Sequence, residues 1–198
     1  MEKNIDKLIK KEGFEKGLLL GVIMLALGIF TFYFITEMTD SMWMIVFTPV
    51  ITSIILPLVI AVFFTLNLRK AIGGYWDLRK AVTGIFIMFV TSYALSSIGR
   101  DIIFAKLVEP QMTDKMAKAI VNATTAMKSG AEQSQIDEKI TEIEKKFDEQ
   151  KSPTIGNIIQ GIVISIIMVF VLALLFAAIF KKEPPRNSLD TAIDPALQ

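Results

Sequence analysis

The chain has 198 residues, of which 53% are hydrophobic, whereas soluble domains typically have about 45–50%. Its 21 basic and 20 acidic residues nearly cancel, so the chain lacks the surplus positive charge that attracts nucleic acid. Histidine and cysteine are both absent, which excludes disulfides and removes the common ligands of zinc, haem and iron–sulfur centres. We therefore expect a membrane protein with no cofactor, no metal and no nucleic-acid partner.

Four long apolar stretches predict an all-α integral membrane protein with four transmembrane helices in the lipid bilayer. A helix crosses the roughly 30 Å hydrocarbon core with about 20 residues, at about 1.5 Å per residue. The stretches, which we number spans one to four, cover residues 17–36, 42–66, 81–99 with an extension to about 104, and 154–182. Residues 1–16 precede them as an N-terminal segment, and residues 183–198 follow as a tail that we expect to be disordered.

Span one carries glycines that predict a helix-packing seam. Gly13, Gly17 and Gly21 follow one another at four-residue intervals, and Gly28 lies on nearly the same helical face. Small residues at this spacing let helix backbones approach closely in a membrane. Two interpretations stay open: the seam joins a second protein chain, or it packs against another span of this chain.

Span two contains Pro49 and Pro57, each of which removes a helical hydrogen bond and favours a kink. Broken helices often line substrate sites in transporters. Proline is also common in ordinary membrane helices, and the nearby hydroxyls of Thr48, Thr52 and Ser53 can bond the freed backbone groups.

Span three is the polar span, because five hydroxyl side chains between Thr91 and Ser97 precede Arg100 and Asp101. Neighbouring helical residues point in different directions, so these two charges need not pair. Asn157 and Gln160 open span four on the same side of the membrane. Arg100, Asp101, Asn157 and Gln160 therefore form a candidate polar cluster in the outer leaflet. It either holds a lipid head group or small anion, or consists of snorkelling charges and helix-end hydrogen bonds.

Lysines and arginines orient the spans. Residues 1–16 carry five lysines and the loop between spans two and three carries four basic residues, whereas the loop between spans one and two carries none. Because basic residues in short loops stay in the cytoplasm, both termini are predicted to be cytoplasmic.

Residues 105–153, between spans three and four, are predicted to form an extramembrane helical hairpin. Its two apolar stripes recur at helical spacing: Met116, Ile120, Ala123 and Met127 form the first, and Ile136, Ile140, Ile143 and Phe147 the second. Two amphipathic helices can hide these stripes by packing together. The hairpin then either caps spans three and four or docks a partner protein.

Several short motifs occur in an order that resembles one known family. They are Arg69-Lys70, Gly73-Gly74-Tyr75, Glu109-Pro110, Ser152-Pro153 and the stretch from Ala177 to Pro185. Together they are similar to the domain-of-unknown-function family forty-one ninety-nine, small four-span proteins found mostly in Bacteroidetes. The resemblance implies a multi-pass protein of a bacterial inner membrane with the hairpin in the periplasm, and it brings no catalytic residues.

No group of residues has the pattern of a catalytic site, so we expect that the protein is not an enzyme. Asp77, Asp101 and Glu109 are scattered along the chain without a partner that would tune them. The leading hypothesis is an accessory or assembly component that acts through helix packing and its hairpin, with a second copy or another envelope protein as partner. The alternative, favoured by the second and third spans, is a small oligomeric transporter or channel subunit.

Overall fold

The computed structural model describes residues 2–126, 133–151 and 154–183, and nearly all of these are helical. Four helices are long and apolar enough to cross a membrane, so the all-α prediction with four such helices is confirmed for the described residues. They are α1 (Glu2–Tyr33 with the π-helical turn Phe34–Met38), α2 (Met42–Val50, the π-helical turn Ile51–Ile55 and Leu56–Ala71), α3 (Leu78–Ser97 with the π-helical segment Ile98–Val108) and α6 (Ile155–Phe180). Between α3 and α6 lie α4 (Met112–Ala126) and α5 (Gln133–Lys151), which together we call the cap.

The helices extend beyond the apolar stretches, because hydrophobicity marks the part of a helix suited to lipid and not its ends. Helix α1 begins at Glu2, and Ile9 in this early part is only 1% exposed. A Cβ placed on Gly84 of α3 would lie 3.1 Å from Ile9 Cγ2. The N-terminal segment is therefore part of the helical bundle.

Helices α1 and α3 pack along most of their lengths and form the centre of the bundle, with α2 beside α1 and α6 beside α3. Buried apolar side chains from all four helices meet in one core cluster: Leu20, Ala61, Leu68, Trp76, Ala81, Ile85, Met88, Ala173, Phe176 and Ala177. We call the end with the α2–α3 loop the inner end and the end with the cap the outer end.

The inner end is closed by a clasp between the α2–α3 loop and the end of α6. Gly73 and Gly74 have φ angles of 102° and 83°, which glycine adopts without strain, and this turn leads into Trp76. The backbone N–H of Trp76 donates to the Lys182 carbonyl at 2.8 Å, and the Lys182 N–H donates to the Trp76 carbonyl at 3.2 Å. The indole Nε1 of Trp76 donates to the Phe180 carbonyl at 3.0 Å. The clasp therefore satisfies carbonyls that the helix end leaves free.

Helix α6 joins the bundle through its inner part alone. Its buried residues are Ala173, Phe176 and Ala177, and Phe176 meets Phe89 of α3 edge to face, with ring centroids 5.3 Å apart. By contrast, the side chains from Ile155 to Ile164 are exposed.

The first helix of the cap packs on spans one and two, which corrects the prediction of a cap over spans three and four. Ala123 of α4 is 1% exposed and forms a buried cluster with Ile35 of α1 and Ile45 of α2. Met116 and Ile120 of the predicted stripe pack against this cluster. Sequence periodicity marks the apolar face of a helix but does not say which helix covers it.

The second cap helix contacts α4 and carries its predicted stripe where expected. Ile140, Ile143 and Phe147 are half-buried, while the charged residues between them are exposed. Met127, the side chain of Ile136 and residues 184–198 of the tail lie outside what the structure describes.

Candidate functional site

Three of the four seam glycines lie against α3 of the same chain. A Cβ on Gly13 would lie 2.8 Å from the carbonyl oxygen of Gly84, and one on Gly17 would lie 2.6 Å from that of Met88. A Cβ on Gly21 would lie 3.0 Å from Leu95 Cβ. These contacts correspond to the interpretation in which the seam packs against another span of this chain.

Gly28 is different, because the nearest atom to its Cβ position is Arg100 Cδ at 3.7 Å. The aliphatic stem of Arg100 thus passes beside α1 at a position that has no side chain. Here the close contact of α1 and α3 gives way to a cavity.

The cavity has a volume of about 260 Å³ and lies between α1, α2 and α3. Its lining comes from Met24, Leu25 and Gly28 of α1, from Thr52, Ser53 and Pro57 of α2, and from Tyr93, Ser96, Ser97 and Arg100 of α3. A second cavity of about 220 Å³ shares Gly28, Ser53 and Arg100 with the first and reaches Met112, Met116 and Ile120 of α4. We call the two together the cleft; it runs from the middle of the bundle to the underside of the cap.

The π-helical turn of α2 forms one wall of the cleft. This turn, Ile51–Ile55, lies between the two prolines of span two, and π-helical turns within α-helices occur frequently at functional sites. Thr52 is 6% exposed and donates to the Thr48 carbonyl at 2.8 Å. It also accepts a hydrogen bond from Thr31 of α1 at 2.7 Å, which fixes the turn against α1.

Hydroxyl groups on the cleft wall differ in whether they already form a hydrogen bond. Ser96 donates to the Tyr93 carbonyl at 3.1 Å, and Thr52 is occupied as described above. The side-chain hydroxyls of Ser53, Tyr93 and Ser97 make no hydrogen bond to the residues that the structure describes. These three groups are free to donate to a ligand.

Arg100 is the charged residue of the cleft wall. Its Nε donates to Asp101 Oδ1 at 2.8 Å, and both side chains are about half exposed, 50% and 56%. The sequence neighbours thus pair, although helical spacing did not require it. Within the described ranges the bond to Asp101 uses Nε and leaves the two Nη groups without a hydrogen bond.

The structure divides the predicted outer cluster. Asn157 and Gln160 lie in the first two turns of α6, with exposed side chains. Neither is hydrogen-bonded to Arg100 or Asp101 in the described part of the chain; the backbone N–H of Asn157 instead donates to Thr154 Oγ1, which caps the helix. Because α6 joins the bundle at its inner part, its outer turns do not contribute to the cleft.

One lysine ties the cap to the outer ends of two spans. Lys115 Nζ lies 3.0 Å from Glu109 Oε2, where α3 ends, and 3.9 Å from Glu37 Oε1, where α1 ends. The hydrogen bond to Glu109, aided by the charges of both carboxylates, raises the pKa of Lys115. This latch holds the start of α4 over the cleft, and no spacing rule in the sequence pointed to it.

The lining of the cleft is suited to binding. It combines apolar side chains, free hydroxyl donors and one guanidinium, and none of these groups is a carboxylate or an imidazole that would serve as a general base. Among the residues described, no three metal-ligating side chains converge.

Comparison with known proteins gives a family match. The family model described as "Protein of unknown function (DUF4199)" matches residues 15–182, a range that includes the four long helices from Glu15 onward, the cap and the clasp. No curated protein and no solved structure matches the chain.

Proposed function

The chain belongs to the DUF4199 family of proteins of unknown function, and from the geometry of the cleft we propose that it is a non-enzymatic membrane component that binds a ligand between its first three spans. One observation carries this proposal. Free hydroxyls of Ser53, Tyr93 and Ser97 and the guanidinium of Arg100 converge on a cavity of about 260 Å³. Binding pockets typically combine an apolar lining with a few such placed polar groups.

The ligand reaches the cleft from the lipid. Ser53, which lines both cavities, is exposed on the outside of the bundle, and its neighbours Ile54 and Ile55 are 59% and 51% exposed. Lipid-facing apolar residues therefore surround the mouth of the cleft. A molecule that is itself dissolved in the bilayer can enter without crossing water.

We place the protein in a bacterial inner membrane with both termini in the cytoplasm and the cap in the periplasm. The basic residues of the inner end support this orientation. Because the chain has no cysteine, Ser129→Cys provides a single reporter. An impermeant maleimide should label it in spheroplasts before lysis, and labelling that requires lysis contradicts the orientation.

An accessory role follows if the bound state is presented to another envelope protein or to a second copy. Helix α5 offers the surface for this, since its charged residues are exposed and its stripe faces α4. The glycine seam is used inside the chain, so assembly is assigned to the cap.

Native mass spectrometry of the protein released from mild detergent tests the binding function. Ser53→Phe places an aromatic ring where both cavities meet and should abolish retention of co-purifying small molecules. Ile54→Phe adds the same ring one residue away, on a side chain that is 59% exposed to the outside, and should retain them. If Ser53→Phe retains the same bound mass as the unaltered protein, the cleft is not the binding site.

A transporter or channel subunit is the second candidate, and the π-helical turn between Pro49 and Pro57 favours it. Such a turn leaves backbone carbonyls that can bind ions or polar solutes. Four spans would have to oligomerise to enclose a path. The test is solute flux across liposomes that contain the purified protein. Flux that Ser53→Phe abolishes would show transport as the function in place of binding alone.

A further inference from the structure

We infer that the cleft binds an oxyanion, a phosphate or carboxylate carried by an amphiphile, with Arg100 as its principal partner. This inference rests on the proposed binding function and names the chemical class of the ligand. Its support comes from the hydrogen-bond donors, the depth of Arg100 and the apolar surroundings.

The donors of the cleft match an oxyanion. Arg100 lines both cavities, and its two Nη groups make no hydrogen bond in the described part of the chain. Guanidinium groups bind phosphate and carboxylate through two parallel N–H donors. The hydroxyls of Ser97 and Ser53 line the same cavity and can donate to the remaining oxygens.

Asp101 does not oppose this assignment. Its carboxylate accepts from Nε of Arg100 at 2.8 Å, and it does not line either cavity. It therefore holds the guanidinium in place from the side while the Nη groups remain for the ligand. The stem of Arg100 passes beside α1, with its Cδ 3.7 Å from the position that a Cβ on Gly28 would take.

The position of Arg100 selects an amphiphile over a fully apolar molecule. Arg100 lies about 33 Å along α3 from Leu78, at about 1.5 Å per residue, which corresponds to the edge of a hydrocarbon core roughly 30 Å thick. Lipid head groups occupy this depth. Below it, Met24, Leu25 and Pro57 line the cavity and offer an apolar surface along which an acyl chain can lie.

The test measures lipid binding to the full-length protein in detergent by titration in native mass spectrometry. The probes are phosphatidylglycerol and a diacylglycerol with the same acyl chains, which lacks the phosphate. We expect phosphatidylglycerol to bind more tightly. Arg100→Gln should weaken its binding about tenfold, as expected for the loss of charge-assisted hydrogen bonds, and should remove the preference over diacylglycerol.

Two further variants separate the role of Arg100 from a general loss of charge or of folding. Lys106→Gln removes a positive charge from an exposed residue of the same helix that does not line the cleft, and it should change binding less than twofold. Arg100→Lys keeps the charge but loses the planar fork, so it should retain part of the preference. If Arg100→Gln does not fold, Arg100→Lys decides the outcome.

Inorganic phosphate at millimolar concentration then identifies the source of the oxyanion. Persistence of phosphatidylglycerol would assign the site to the lipid head group, as inferred. Displacement would assign it to a free anion, which keeps the oxyanion but overturns the amphiphile. Equal binding of both lipids, or no effect of Arg100→Gln while Ser53→Phe abolishes binding, would overturn the inference but preserve the cleft. If Ser53→Phe also has no effect, the proposed function fails as well.

Discussion

Gly17 lets the backbones of α1 and α3 approach closely, and replacing it with alanine should push the two helices apart. A Cβ at this position would lie 2.6 Å from the Met88 carbonyl oxygen and 2.7 Å from Thr91 Cβ. Neither atom is the end of a flexible side chain, so relief requires movement of a helix. Restoring an ordinary contact of 3.4 Å requires a separation of about 0.8 Å, which is 3.4 minus 2.6. A gap of that size loses about a quarter to a half of each dispersion contact along the crossing.

We expect Gly17→Ala to lower the free energy of unfolding by about 1–3 kcal/mol, the usual cost of overpacking. Gly28→Ala is the matched control, because it lies on the same helix and its nearest contact, Arg100 Cδ, is at 3.7 Å. Both changes gain roughly 0.5–1 kcal/mol from replacing a helical glycine, so their difference isolates the clash. Unfolding in mixed micelles, followed by tryptophan fluorescence, measures it. Equal stability of the two variants would refute the close approach of α1 and α3.

Three further predictions concern the inner clasp, the start of α3 and the latch. Trp76→Phe removes the Nε1 bond to the Phe180 carbonyl and should cost about 1 kcal/mol of unfolding free energy. Trp43→Phe, at a side chain that is 68% exposed, should cost little. Because each change removes one of the two tryptophans, unfolding in the same micelles is followed here by circular dichroism. Asp77→Ala should cost about 1 kcal/mol, because Asp77 Oδ1 accepts from the Lys80 backbone N–H at 2.8 Å as an N-cap, and Asp77→Asn should retain most of the cap. That hydrogen bond lowers the pKa of Asp77 below 3.8. The stabilisation from the hydrogen bond is therefore present above pH 3.8 and is lost as the pH falls through the folded-state pKa. The unaltered protein and Asp77→Ala should accordingly become equally stable when stability is titrated into acid. Lys115→Gln breaks the latch to Glu109 and should speed hydrogen exchange in α4 while leaving exchange in Leu78–Ser97 unchanged; unchanged exchange in α4 would show that its apolar contacts alone hold the cap.

The elements that depend on composition were predictable. Four apolar runs with few interior charges predict four transmembrane helices, since the backbone must satisfy its own hydrogen bonds in lipid. The amphipathic stripe of the first cap helix was also correct, because Met116, Ile120 and Ala123 are the residues that pack on the bundle. In both cases the local pattern of residue types is sufficient for the prediction.

The partner of each surface was not predictable, because it is a property of the tertiary structure. The stripe of α4 would be equally buried against any pair of spans, and it packs on Ile35 and Ile45. Membrane depth alone predicts Gln160 in the same polar cluster as Arg100, yet α6 meets the bundle at its inner part. Depth along a helix is readable from sequence, whereas the direction in which a neighbouring helix lies is not.

The π-helical segments explain why the cleft itself could not be predicted. Spacing arguments assume α-helical geometry, and each wider turn rotates every later side chain relative to that expectation. Ser53 lies within such a turn, and Arg100 is the third residue of a longer one, Ile98–Val108. Apart from Pro49 and Pro57 beside the turn Ile51–Ile55, no residue type marks these segments. The residues that converge on the cleft come from three spans, and the wider turns set the faces on which two of them lie. The sequence therefore identifies Arg100 and the hydroxyls of span three as candidates, but it does not show that they line one cleft with Ser53 of span two.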